Sequence, residues 1–166
     1  MNSQFNKYKI INIGNKKEAV EFLNQIKEKW VDSEYKVTNL GLTNLNKYCR
    51  TMIFHQEIAY INHSTLIDAM KSTGGRGRHN YHGLTPNEIV EALASLKAQR
   101  SVYSSKKNSD DVIIVSSIIA ECGYPIIVII ELNASLKNTN ITTINKIKSV
   151  YPKRNFVSFI ESLNKK

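Results

Sequence analysis

Three stretches in the carboxyl-terminal half decide the fold: Val112-Ile113-Ile114-Val115, then Ile126-Ile127-Val128-Ile129-Ile130-Glu131-Leu132, then Thr142 to Tyr151. Each is rich in β-branched residues and has the length of a strand, and Ser101-Val102-Tyr103-Ser104 precedes them as a fourth. The polar turns between them are too short for helical crossovers, so antiparallel meander pairing is expected. No apolar run approaches the roughly 20 residues that a membrane-spanning helix needs.

Helical patterns lie before and after these strands. Ala19, Leu23, Ile26 and Trp30 recur at one-face spacing, which predicts a helix from Lys16 to Trp30. Thr85-Pro86-Asn87-Glu88 has the pattern of a capping box with proline at the first helical position, so a second helix begins there.

Shorter elements complete the prediction. They are a strand over 9–13, a strand over 53–61, a helix over 64–71 capped by Ser64 or Thr65, and a closing helix over 155–163. The fold class is α+β, with helices first, an antiparallel meander sheet of about four strands next, and a carboxyl-terminal helix.

The chain divides at about residue 50 in this interpretation. Asp32 to Arg50 is polar and rich in asparagine, and it gives no clear period. Residues 1–50 are therefore expected to form an amino-terminal extension or subdomain of unknown role, and residues 51–166 the main domain.

Charge is the first indication of function. The 166 residues carry 23 Lys and Arg against 14 Asp and Glu, a formal net charge of +9. Residues 72–107 and 133–166 are basic, whereas 108–132 contain four acids and no Lys or Arg. Such a balance favours polyanions such as nucleic acid or anionic membrane surfaces, although a solvated basic surface without a ligand gives the same composition.

Few features of the sequence indicate the cellular compartment in which the protein acts. Cys49 and Cys122 lie far apart without metal-ligand spacing, which favours two buried free thiols in a reducing compartment over a single disulfide. No signal-type apolar segment follows the amino terminus, so a cytoplasmic site of action is expected, reached by a non-classical delivery route where delivery occurs.

The last strand carries polar groups suited to a phosphodiester. By alternation, Asn145, Ile147, Ser149 and Tyr151 share one face, and Lys153 follows beyond Pro152. An amide, a hydroxyl and a phenol can seat phosphate oxygens, and a lysine can stabilise charge that grows in a transition state. An ordinary solvated strand has the same pattern, and isoleucines every third residue from 141 leave the buried face unassigned.

The glycine-rich segment 72–83 contains the other candidates, Arg76, Arg78, His79 and His82. An imidazole can exchange protons with a ribose hydroxyl near neutral pH, although a lone histidine is more often a packed residue. Zinc is disfavoured, because His-x-x-His in a loop lacks supporting ligands, and no metal or cofactor is expected.

Three motifs stand in a familiar order: His82-Gly83-Leu84-Thr85, Val102-Tyr103-Ser104-Ser105, and Asn145 to Lys153. Together they resemble the phage MuF C-terminal nuclease-like domains of the barnase–EndoU–colicin–RelE-like (BECR) ribonuclease superfamily. The resemblance covers roughly residues 55–165 and leaves residues 1–50 unexplained.

The resemblance implies a metal-independent endoribonuclease, a bacterial or phage-associated toxin or effector that forms a cyclic phosphate. It implies His82 as general acid or base, with Tyr151 positioning or protonating and Lys153 stabilising the phosphorane charge. Further roles are phosphate orientation for Ser149 and Asn145, and RNA contacts for Tyr103, Ser104, Arg76 and Arg78. The matching carboxylate base is not evident in this sequence.

The resemblance and the basic charge also indicate which partners to expect and one alternative function. The expected partners are RNA, with tRNA as one substrate to test, and an acidic immunity protein or antitoxin; no membrane partner is expected. The alternative function is a non-catalytic basic domain that binds nucleic acid or serves the phage particle.

Overall fold

The computed structural model describes residues 9–26, 33–48, 53–71, 83–105, 110–135 and 143–164. Within these ranges the chain forms seven strands and four α-helices. The strands are β1 (Lys9–Asn12), β2 (Glu34–Thr38), β3 (Ala59–Asn62), β4 (Val102–Ser104), β5 (Asp111–Ile119), β6 (Pro125–Ala134) and β7 (Ile144–Pro152). The helices are α1 (Lys16–Ile26), α2 (His63–Met70), α3 (Pro86–Ser95) and α4 (Phe156–Asn164), and 3₁₀ segments span Leu42–Tyr48 and Leu96–Ala98.

All seven strands form one mixed sheet in the order β1-β2-β3-β7-β6-β5-β4. The half from β7 to β4 is the predicted antiparallel meander, and this prediction is confirmed. The prediction of about four strands is wrong, because β1, β2 and β3 extend the sheet beyond β7 through two parallel pairings, β1 with β2 and β3 with β7. The α+β class itself is confirmed.

Strand β2 was not predicted from the sequence. It lies in the polar segment from Asp32 to Arg50, in which the apolar residues show no clear helical or strand period. Tyr35 and Val37 are buried, while the residues between and beside them are partly exposed, so a five-residue alternation was present. Its surroundings are polar by composition only, since Leu40, Leu42 and Leu45 are all fully buried.

The sheet continues across the predicted boundary at residue 50, because β2 pairs with β3. The division into an extension over 1–50 and a domain over 51–166 stays a prediction.

Helix α3 begins as its sequence predicts. The Thr85 hydroxyl accepts a hydrogen bond from the Glu88 N–H at 3.1 Å, and Glu88 Oε1 accepts one from the Thr85 N–H at 2.8 Å. This capping box with Pro86 satisfies donors that the helix start would otherwise leave unpaired. The predicted caps of α2 are wrong, because that helix begins at His63 and Asn62 occupies its N-cap position.

Apolar side chains form a large core on one face of the sheet and a small core on the other. The main core packs α1, α2 and α3 on the sheet through residues such as Leu23, Leu66, Ile89, Ile130 and Ile147. The small core consists of Ile113, Val115 and Ile127, with partly buried Tyr103, Ile129, Tyr151, Phe156, Phe159, Ile160 and Leu163 around them. We call the two sides of the sheet the main-core face and the small-core face.

Candidate functional site

An extra residue in β7 controls which of its side chains share a face. Ser149 lies opposite Ile129 of β6, but Ile147 lies opposite the very next β6 residue, Ile130. Lys148 is therefore the extra residue of a β-bulge, which shifts the in–out alternation of the strand by one.

The bulge separates the predicted site residues. Ile147 and Val150 both belong to the main core, which explains their spacing of three. Tyr151 packs in the small core, and Ser149 pairs with Ile129 of that same face. The prediction that Asn145, Ile147, Ser149 and Tyr151 share one face is therefore wrong, because a strict two-residue period does not continue through a bulge.

Asn145 has a structural role before the bulge. Its side chain is buried, and Nδ2 donates to the carbonyl oxygens of Gln56 at 3.1 Å and Ile58 at 2.9 Å. These bonds fasten β7 to the segment that enters β3. With its amide N–H groups used in this way, Asn145 does not offer them to a phosphate, and we leave it out of the candidate site.

Ser149, Tyr151 and Lys153 form the candidate site after the bulge. Tyr151 is half-buried, and burial raises the pKa of its phenol, so this side chain is neutral at physiological pH. The Lys153 Nζ lies 6.0 Å from the centroid of the Tyr151 ring and 4.6 Å from that of Phe159 in α4. The ring of a neutral phenol and a cation therefore lie next to each other.

The backbone of Lys153 is held at the start of β6. Its N–H donates to the Pro125 carbonyl oxygen at 2.8 Å. This bond continues the hydrogen-bond ladder between β6 and β7 past Pro152. It also fixes where the lysine side chain leaves the backbone.

Tyr103 and Ser104 lie on opposite faces of edge strand β4. Tyr103 pairs with Ile113, which pairs with Ile129, which pairs with Ser149, so these four residues form a row on the small-core face. Three strand spacings separate the ends of the row, about 14 Å. Ser104 pairs instead with Val112 of the main core, so only Tyr103 shares the face of Ser149 and Tyr151.

The candidates His82, Arg76 and Arg78 lie outside the described residues. The chain is described again from Gly83, whose N–H donates to the Lys71 carbonyl oxygen at 2.9 Å at the end of α2. Helix α2 itself packs against β7.

The start of α3 is attached to the turn between β5 and β6. Glu88 Oε2 accepts a hydrogen bond from the Glu121 N–H at 2.6 Å, in the turn between β5 and β6. That turn leads into Pro125, the partner of Lys153. The start of α3 and Lys153 thus both contact the β5–β6 connection, at the end of the sheet where β7 finishes, which we call the β7 carboxyl end.

Two carboxylates of α3, Glu88 and Glu91, have structural partners. Glu88 uses one oxygen in the capping box and the other on the Glu121 N–H. Glu91 forms an ion pair with Lys16 at 3.0 Å. Neither Glu88 nor Glu91 is therefore assigned a catalytic role.

Two of the basic residues in 133–166 are paired with acids on the small-core face. Lys148 Nζ lies 3.0 Å from Asp111 Oδ2, and Lys146 Nζ lies 3.8 Å from Glu34 Oε2. The Lys153 ammonium contacts aromatic rings instead. The positive potential of this segment is therefore reduced before the bulge and kept at the β7 carboxyl end.

His63 and Cys122 are two further ionisable side chains in the described part of the chain. His63 is buried and its Nδ1 lies 2.8 Å from the Tyr35 hydroxyl. Cys122 is exposed in the β5–β6 turn, so the prediction of a buried thiol is wrong there; Cys49 lies outside the described residues.

A cavity of about 850 Å³ is a feature that sequence reasoning missed. It lies where β1 and β2 end, beside α3. Its charged lining residues cancel: Lys16, Lys97, Glu57 and Glu91. None of the candidate residues is among its described lining residues, and its chemistry does not single out a ligand.

Comparison with known proteins gives one match. The sequence model of the family described as phage MuF-C-terminal domain matches residues 74–166. No curated protein and no solved structure is similar to the chain by the same standard. In the described ranges, no helix has the length and apolar character to cross a bilayer, and no three His, Cys, Asp or Glu side chains cluster as metal ligands.

Proposed function

The chain belongs to the phage MuF C-terminal domain family, and from this premise we propose that it is a metal-independent endoribonuclease of the BECR superfamily. In this proposal it is a phage-associated toxin or effector that acts on cytoplasmic RNA. An acidic immunity protein or antitoxin would cover the site in the cell that makes it.

One observation carries the proposal: after the bulge, Ser149 and Tyr151 share a face, and the Lys153 ammonium stands beside the Tyr151 ring. A neutral phenol, a hydroxyl and a cation are the groups that phosphodiester cleavage needs. The basic net charge of the chain supplies long-range attraction for RNA.

The proposed reaction is attack of a ribose 2′-oxygen on the adjacent phosphorus. His82 accepts the 2′-hydroxyl proton as the O–P bond forms. The P–O5′ bond breaks, and the leaving 5′-oxygen takes a proton from the Tyr151 phenol. The products are a 2′,3′-cyclic phosphate and a free 5′-hydroxyl.

The Tyr151 phenol is protonated at physiological pH, as a general acid must be, although burial raises its pKa and makes it the weaker acid. A phenol that burial keeps neutral has a proton to give across the physiological range. Lys153 stabilises the charge that grows on the phosphorane oxygens, and Ser149 donates to one of them. Tyr103, on the same face, is placed to contact a neighbouring nucleotide, while Arg76 and Arg78 hold the RNA backbone.

The test is RNA cleavage by the purified full chain in EDTA. We expect fragments from tRNA or total RNA with 5′-hydroxyl and cyclic-phosphate ends, and loss of cleavage in His82→Ala. Intact RNA, or cleavage that His82→Ala leaves unchanged, would refute the proposal.

The competing function is nucleic-acid binding without cleavage. The Asn145 amide donates to the carbonyl oxygens of Gln56 and Ile58 and so does not make the phosphate contact expected of it. The loss of this contact favours binding without cleavage. Under this alternative, RNA binding weakens with salt, RNA stays intact, and Arg76→Ala reduces affinity more than His82→Ala.

A further inference from the structure

Helix α4 contributes more than a cover for the small core, because one of its aromatic rings contacts the Lys153 ammonium. Lys153 Nζ lies 4.6 Å from the Phe159 ring centroid, closer than its 6.0 Å from the Tyr151 ring centroid. Both distances fall within the range in which the face of an aromatic ring attracts a cation.

We propose that Phe159 is a positioning residue that holds the Lys153 ammonium beside Tyr151. This inference rests on the proposed ribonuclease function and adds to it a residue outside all three sequence motifs. Phe159 does not touch the reacting atoms; it acts through Lys153.

The need for such a residue follows from the chain geometry. The backbone of Lys153 is fixed by its hydrogen bond to Pro125, but a lysine side chain has four rotatable bonds. Without a lateral contact its ammonium samples many positions. The Phe159 ring restricts that freedom without neutralising the charge, unlike the carboxylates that hold Lys146 and Lys148.

Placement of the ring depends on α4 and the small core. Phe159 packs with Ile127, Tyr151 and Phe156 in that cluster. The Phe159 N–H donates to the Asn155 carbonyl oxygen at 3.1 Å in the first turn of α4. Asn155 follows Lys153 by two residues, so the packing of α4 on the small core places the ring over a lysine only six residues earlier in the chain.

Three substitutions separate positioning from packing. Phe159→Leu keeps an apolar side chain in the small core and removes the aromatic face. Phe159→Tyr keeps that face. Phe156→Leu is the matched control, since Phe156 packs in the same cluster and the described rings over the ammonium are those of Tyr151 and Phe159.

Single-turnover cleavage of RNA measures the effect. We expect Phe159→Leu to reduce the cleavage rate about fivefold to tenfold at unchanged RNA affinity. Phe159→Tyr should restore the rate, Phe156→Leu should stay within about twofold of wild type, and Phe159→Leu should cost nothing further in a Lys153→Ala background.

An NMR readout is independent of activity. A ring face beside the ammonium shifts the Lys153 Hε protons upfield, and Phe159→Leu should remove this shift while Phe156→Leu leaves it in place. A Lys153 resonance that does not respond to Phe159→Leu would overturn the inference.

The two proposals fail in different ways. If the wild-type chain cuts no RNA, the proposed function falls and the positioning role falls with it. If the wild type cuts RNA and Phe159→Leu cuts it equally fast, or if its defect persists in the Lys153→Ala background, only the positioning role falls.

Discussion

The two faces of the sheet differ in how completely helices cover them. On the main-core face, α1, α2 and α3 bury a large set of side chains, including Ile130 and Ile147, completely. On the small-core face, α4 leaves Tyr103, Ile129, Tyr151 and its own aromatic residues only partly buried. Stability is therefore concentrated on the first face, and the second can keep hydroxyls and an ammonium within reach of solvent.

Strand β7 contributes to both faces, and the bulge at Lys148 divides its tasks. Before the bulge, Asn145 and Ile147 hold the strand in the fold. After it, Ser149, Tyr151 and Lys153 serve the small-core face. Neighbouring polar residues of one strand can therefore serve different functions when a bulge shifts the in–out alternation of its side chains.

The largest expected effect compares adjacent residues of β6 that face opposite sides. Ile130 is fully buried and Ile129 is partly exposed. We expect Ile130→Ala to lower the free energy of unfolding by about 4 kcal/mol and Ile129→Ala by about 2 kcal/mol, measured by urea denaturation. Equal losses would contradict the difference between the faces.

The second comparison sets Lys153 against Lys148 in RNA cleavage. Lys153→Ala removes the proposed transition-state cation and should slow single-turnover cleavage about 100-fold, or about 2.7 kcal/mol. Lys148→Ala removes a cation already paired with Asp111 and should change the rate by less than about threefold. A larger defect in Lys148→Ala than in Lys153→Ala would place the site at the bulge instead.

The third comparison concerns polar residues of β7 on either side of the bulge. Asn145→Ala leaves the Gln56 and Ile58 carbonyls without their donor, so we expect a loss of about 2 kcal/mol in the free energy of unfolding. Ser149→Ala should cost less than about 0.5 kcal/mol. Chemical denaturation of both variants measures the difference, and the reverse order would show that Ser149 holds the fold.

The smallest expected effect uses a tyrosine on each face. Burial raises the pKa of both Tyr35 and Tyr151 above the ordinary value, so each phenol stays neutral longer in the folded than in the unfolded chain. Their contribution to stability is complete below about pH 10, the unfolded pKa, and is lost as pH rises through the folded pKa.

Denaturation curves between pH 8 and pH 11 check this sign. Wild-type stability should fall above about pH 10, and Tyr35→Phe or Tyr151→Phe should each make that fall shallower. At pH 8, Tyr35→Phe should cost about 1 kcal/mol because its hydroxyl is bonded to His63. An alkaline fall that neither substitution alters would assign the pH dependence to other groups.

The amino-acid sequence by itself determined the features that depend on near neighbours. The capping box at Thr85, the α1 stripe and the four meander strands were predictable, because each arises from propensities and hydrogen bonds within a few residues. The order of the carboxyl-terminal motifs also sufficed to indicate the family that the match over 74–166 shows.

Tertiary structure alone decided the rest. A bulge is a mismatch between two strands, so the separation of Asn145 from Ser149 and Tyr151 depends on β6 as much as on β7. The parallel pairing of β3 with β7 joins residues more than 80 positions apart, and no local pattern encodes it. The contact of Phe159 with Lys153 likewise requires α4 to fold back onto the small-core face, a consequence of packing that no motif in the chain records.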